Sequence, residues 1–185
     1  MKLTLSVILF LCSFLSIANG VSVSVGQSPP RYSGYDYNDA FRIAYIIPLS
    51  TKIEFLEQNH ITVDVEFSYM QWRDNSKKWG SFGDDWYDDI EGISITPLFK
   101  YQFARVSNNL DLFIAAGIGI SYHDGINWGY RELGTRWLFE DKLEFSLLYK
   151  HKHQFSLSLI HYSNADFEKK NQGANVYSIG YGYHW

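Results

Sequence analysis

Past residue 20, no run of this 185-residue chain is apolar for long enough to make a membrane-crossing helix, yet apolar residues recur at every second position through most of it. That period belongs to strands, which show one apolar and one polar face. Ile61, Val63, Val65, Phe67 and Tyr69 alternate with Thr62, Asp64, Glu66 and Ser68. Phe41, Ile43, Tyr45 and Ile47 share a face opposite Arg42, and Ile93, Ile95, Phe99, Tyr101 and Phe103 lie opposite Ser94, Thr96, Lys100 and Gln102. Leu110, Leu112, Ile114, Ile118 and Ile120 make a further apolar row whose reverse holds Ala115, Gly117 and Gly119, and Leu143, Phe145, Leu147 and Tyr149 make the next. Such strands suit lipid on one side and a polar lumen on the other. Lipid offers no hydrogen bonds to an open sheet edge, so the sheet must close on itself.

Strands near 21–26, 154–163 and 175–185 bring the number to eight, the smallest membrane barrel. The expected fold is therefore all-β, an eight-stranded antiparallel transmembrane barrel. Connections at 27–37, 73–89, 123–133 and 164–174 are long, and those at 105–109 and 150–154 are short. Only 48–60 exceeds the length its place predicts. Long loops outside and short turns inside place both termini in the periplasm of a bacterial outer membrane. The chain ends on an aromatic residue, Trp185, an ending that resembles the assembly signal of outer-membrane barrels. A soluble ligand-binding barrel would instead turn its apolar faces inward and its polar faces to water.

A lumen this narrow is filled by side chains rather than open as a pore. Arg42 is expected to pair there with Asp64 or Glu66, and Glu140 and Glu144 face the lumen or its rim. Phe, Trp and Tyr make up 18% of the chain against 4 prolines, which favours strands, and the tryptophans read as interface girdles.

Lys2, the apolar run Leu3 to Ile17 and the small-residue exit Ala18-Asn19-Gly20 read as a secretory signal, with cleavage expected after Gly20. This divides the chain into a leader, 1–20, and one barrel domain, 21–185. The single cysteine, Cys12, lies in the leader, so the mature domain has no thiol. A formal charge of −4 gives no electrostatic surface for nucleic acid. His151 and His153 have a spacing that permits a metal site but lack a third ligand, so neither metal nor cofactor is expected. The acidic run Asp84-Asp85-Trp86-Tyr87-Asp88-Asp89 reads as a solvated loop.

His161 and Ser163 share strand parity with Leu157 and Leu159, which puts them on the lipid face near the outer boundary. Polar groups there are costly unless they meet each other, the headgroup zone or a substrate. An imidazole in reach of a serine hydroxyl can take its proton as the oxygen attacks an ester carbonyl. On spacing alone, a polar rim at the membrane surface accounts for the pair more readily.

The wider segment adds to this. His161-Tyr162-Ser163-Asn164-Ala165, then Asn171-Gln172-Gly173-Ala174-Asn175 and Tyr177-Ser178, resembles the signature of the lipid A 3-O-deacylase (PagL) family, with looser likeness over Pro97 to Tyr101, Phe113 to Gly119 and Phe139-Glu140-Asp141. The resemblance implies an eight-stranded outer-membrane barrel that hydrolyses the ester-linked chain at the 3-position of lipid A. Lipid A and outer-membrane lipid would be its partners, and oligomeric state is left open. Ser163 would be the nucleophile, His161 the general base and Asn164 the oxyanion-hole residue, unless Asn164 only forms the turn that follows. Asn175 stands where the family has its glutamate, so Asp141, which shares parity with Leu143, is a second candidate for the acid. Asp166 replaces a family glycine. The replaced glutamate keeps a noncatalytic structural or adhesive barrel open, and an esterase or acyltransferase acting on phospholipid is the other alternative.

Overall fold

A computed structural model describes residues 20–29, 37–49, 53–74, 89–129 and 131–185. The leader through residue 19 and most of the acidic run, 84–88, lie outside the described residues. In chain order the strands are β1 (Gly20–Ser28), β2 (Asn38–Leu49), β3 (Ile61–Arg73), β4 (Ile90–Ser107), β5 (Leu110–His123), β6 (Asn127–Trp128), β7 (Arg131–Glu132), β8 (Trp137–Tyr149), β9 (His153–Ser163) and β10 (Ala174–His184). A short helix, α1 (Glu54–Gln58), fills the long connection between β2 and β3 and packs on β3. No helix among the described residues is long and apolar enough to cross a membrane.

Eight strands close into an antiparallel barrel in the order β1-β2-β3-β4-β5-β8-β9-β10, with β10 returning to β1. The remaining pair, β6 and β7, forms a hairpin of its own over the end that carries the long connections. The alternation sets the faces. Val25, Ile93, Ile118, Leu157 and Ile179 point outward and are each more than half exposed. An apolar surface of this extent is matched by lipid and not by water. Val63 departs from its row: between its larger register partners Leu49 and Phe99 it is covered.

Inward positions carry a continuous network of charges. Arg42 donates from Nη1 and Nη2 to Glu140 at 2.8 and 2.7 Å, and Thr96 Oγ1 donates to the same carboxylate at 2.6 Å. Arg42 also approaches Glu66 at 3.4 Å, and Lys142 bridges Glu66 and Glu144 at 2.9 Å each. Asp64 is not a partner of Arg42; it takes Lys100 at 2.8 Å instead, the lysine two register steps away on β4. Glu140 and Glu144 are both buried in this network.

Towards the long-connection end the lumen, polar further down as expected, turns apolar. The last inward positions of β3, β8, β9 and β10 are Met70, Trp72, Leu138, Ile160, Tyr162, Ala174 and Val176, and Trp128 and Leu133 from the hairpin region close over them. Trp72 stacks on Trp128 with ring centroids 4.5 Å apart and meets Tyr162 edge-on at 4.6 Å. Trp72 and Trp128 are thus core residues, not members of an interface girdle, whereas Trp137 and Trp185 are exposed near strand ends.

Candidate active site

Three strands deliver the site in register. β8, β9 and β10 place Asp141, His161 and Asn175 in one row across the outer face. One pair further towards the long connections lies Phe139 beside Ser163, and one pair below lie Leu143, Leu159 and Tyr177. Asp141, His161, Ser163 and Asn175 are all half-buried.

His161 Nδ1 lies 2.7 Å from Asn175 Oδ1. An amide oxygen only accepts, so the contact holds the proton on Nδ1 and leaves Nε2 as the acceptor. Asp141 is the other register neighbour of His161, but Nδ1 is taken by the asparagine. Ser163 follows two residues along the strand, about 7 Å at its backbone. Among the described residues no hydrogen bond joins its Oγ to the imidazole, and bonds of this kind are often unformed without substrate.

The loop after Ser163 is built by Asn164. Ala165 and Asp166 both adopt left-handed backbone, with φ of 51° and 63°, and Phe167 N–H donates to Asn164 O at 3.0 Å. This is a type I′ turn made without glycine. Asp166 holds a positive φ that glycine adopts most readily, and its carboxylate accepts from Asn171 Nδ2 at 3.0 Å. Asn164 is buried, with Nδ2 donating to Leu133 O at 2.9 Å and Lys170 O at 2.7 Å, and its backbone N–H donating to Asn171 Oδ1 at 3.0 Å. The side-chain donors of Asn164 are thus engaged with Leu133 and Lys170, and its backbone donor with Asn171.

The hairpin region contributes residues that strand periodicity does not reveal. Arg131 donates from Nη1 to Gly173 O and from Nη2 to Pro29 O, each at 2.9 Å, tying the connection after β1 to the one before β10. Glu132 and Gln172 exchange two bonds, Glu132 N–H to Gln172 Oε1 at 2.8 Å and Gln172 N–H to Glu132 O at 3.1 Å, and Lys170 pairs with Glu132. Gly173 has φ of 51° and lies against the imidazole: a Cβ there would stand 3.1 Å from His161 Cε1. The length of the 123–133 connection is the one sequence signal that marks this clasp. His153 and His151 have other partners, Tyr181 Oη at 2.8 Å and Asp111 Oδ2 at 3.5 Å.

Below the row of His161 a largely apolar groove of about 1180 Å³ runs over the outer face, from Leu143, Leu157, Leu159 and Tyr177 across β1 to Phe41 on β2, with Gln71 and Arg73 of β3 also in its lining. Residues 59–184, which contain Asp141, His161, Ser163, Asn164 and Asn175, match the model of a family described as lipid A 3-O-deacylase (PagL). The chain belongs to this family. A curated relative, the lipid A deacylase PagL of Pseudomonas aeruginosa, is 35% identical over 89 residues, 48% of this chain and 50% of the relative. The chain thus aligns with about half the length of that relative. The crystal structure of the outer membrane enzyme PagL superposes with a TM-score of 0.71 at 24% identity, covering 88% of this chain and 97% of that one. Neisserial surface protein A shares the barrel at a TM-score of 0.54 and 11% identity, covering 90% of this chain and 96% of that one. The PagL family model reaches from β3 to β10 and so takes in strands β8, β9 and β10, which carry the candidate site residues.

Proposed function

We propose that this chain is a lipid A 3-O-deacylase of the outer membrane, with the long connections outside the cell and both termini in the periplasm. The observation that carries the reading is His161, oriented by Asn175 on the lipid-facing side of the barrel, beside Ser163 and directly above an apolar groove. A site there meets a lipid of the outer leaflet without extracting it.

Ser163 Oγ attacks the carbonyl carbon of the ester at the 3-position while His161 Nε2 takes the hydroxyl proton. The tetrahedral intermediate collapses by breaking the carbon–oxygen bond to the sugar, and the imidazolium returns its proton to the leaving oxygen. Water then attacks the acyl-serine by the same route, releasing the fatty acid. The acyl chain lies in the groove. The oxyanion is received by backbone amides of the turn after Ser163, and for Asn164 this means exchanging Asn171 Oδ1 for the substrate oxygen. No step requires a cofactor.

The amide at position 175, in place of a carboxylate, favours a second reading, a noncatalytic barrel that stabilises the membrane or presents its loops. Mass spectrometry of lipid A from cells expressing the chain or its Ser163→Ala variant, at equal membrane level, decides between them. Loss of one 3-hydroxyacyl mass with the wild type alone supports the deacylase. Unchanged lipid A in both, with the barrel folded, supports the noncatalytic barrel, and loss of a phospholipid chain instead reassigns the substrate.

A further inference from the structure

A second, smaller pocket of about 270 Å³ opens on the outer face on the other side of the His161 row from the groove. Its walls are Ile120, Trp137, Phe139 and Phe167, with Thr135 and Glu168 at the edge. It begins one strand from the nucleophile, because Phe139 is the register partner of Ser163. Trp137 and Phe167 are 57% and 79% exposed, so neither ring is committed to the protein interior. The Phe167 ring stands 6.1 Å from that of Phe139, carried there by the turn at Ala165 and Asp166.

An ester has two halves, and the attacked carbonyl lies between them. If the acyl half descends into the groove below His161, the alcohol half must sit above it, where this pocket is. The alcohol of the scissile ester is a sugar. Sugar rings present apolar C–H faces and a rim of hydroxyls, which calls for aromatic surfaces edged by hydrogen-bonding groups. The pocket has that composition. Thr135 Oγ1 already accepts from Trp137 N–H at 3.2 Å, which leaves its own proton to donate. Glu168 has no ion pair among the described residues, and a carboxylate at the edge of a purely acyl pocket would be desolvated without recompense. Arg136 and Lys169, each next in sequence to an edge residue, are exposed and suit a phosphorylated sugar.

We propose that this pocket is the headgroup subsite, in which the glucosamine ring bearing the scissile ester lies between Trp137 and Phe167 and its hydroxyls meet Glu168 and Thr135. The proposal rests on the deacylase reading above. Its test compares purified full-length wild type with Trp137→Ala, Phe167→Ala and Glu168→Gln in detergent micelles. Two substrates are used: lipid A, and an ester of the same 3-hydroxyacyl chain with a simple alcohol. The ratio of kcat/KM on lipid A to that on the sugar-free ester is expected to fall about tenfold or more in the two aromatic variants, the value of a well-packed ring contact. The ratio cancels the fraction of folded protein. An unchanged ratio overturns the subsite, whether both rates fall together or neither moves. If the wild type leaves the sugar-free ester uncut, the decision passes to inhibition of lipid A cleavage by a short-chain N-acylglucosamine. The aromatic variants must then lose that inhibition, and retained inhibition overturns the proposal. Failure of the deacylase reading looks different: the wild type then cleaves lipid A no faster than Ser163→Ala.

Discussion

At Asn175 an amide does part of what a carboxylate would do. It accepts Nδ1–H of His161 at 2.7 Å and so fixes ring and tautomer, but it brings no charge to offset an imidazolium. Asn175→Ala is therefore expected to lower kcat on lipid A by about 10- to 100-fold, the usual cost of losing an orienting partner. Asn175→Glu keeps the acceptor and adds the charge, and should raise kcat by about tenfold, since an opposite charge in contact is worth more than 1.4 kcal/mol in a partly desolvated site. The measurement is the initial rate of 3-hydroxy fatty acid release. A fall with the glutamate would mean that the asparagine geometry, not charge, limits the base. Asp141→Asn belongs in the same series: a loss equal to that of Asn175→Ala would assign the acid to β8 instead. The shared face of His161 and Ser163 is legible in the sequence because a strand has a period of two. The left-handed turn is not, because Ala165 is not a residue that marks left-handed backbone and Asp166 alone does not specify it, and with it the buried place of Asn164 is hidden.

Among the elements, the strands are the legible part. Lipid outside and a narrow lumen inside act on every residue of a spanning strand, so composition alternates and the strand shows itself. The hairpin β6–β7 escapes notice for the converse reason: each strand is two residues long, and its worth lies in bonds to other loops. Its central member is Arg131, whose guanidinium holds Gly173 O and Pro29 O at once, with Gly173 lying against the imidazole. Arg131→Ala is expected to lower kcat about tenfold with little change in KM, because it loosens the backbone that positions His161 without touching substrate. Arg131→Lys should recover little of this, since a single ammonium cannot span two carbonyls in fixed directions. Equal changes in kcat and KM, or full rescue by lysine, would show the clasp to be ordinary loop packing. α1 is equally hidden, and only the excess length of the 48–60 connection points to it.

The whole barrel is held apart by its interior as much as closed by its strands. Arg42 lies at the centre, with Glu140 in a two-point contact, Glu66 beyond and its Nη1 3.3 Å from Tyr162 Oη. Tyr162 stands between His161 and Ser163 in sequence, so the lumen network reaches the site through the opposite face of the same strand. Removing one member of a buried pair leaves a charge without its partner, at a cost of about 3–5 kcal/mol, whereas replacing both by apolar groups is often near neutral. Glu140→Ala is thus expected to lower the midpoint of urea unfolding in lipid vesicles, and the double replacement Arg42→Met with Glu140→Leu to recover most of that loss. Activity should not follow stability. The double variant also removes the donor to Tyr162, so it should remain impaired on lipid A even where its unfolding midpoint is restored. Recovery of both together would mean that the network only fills the lumen, and that the position of β9 is set by the apolar plug of Trp72, Trp128 and Tyr162 above it.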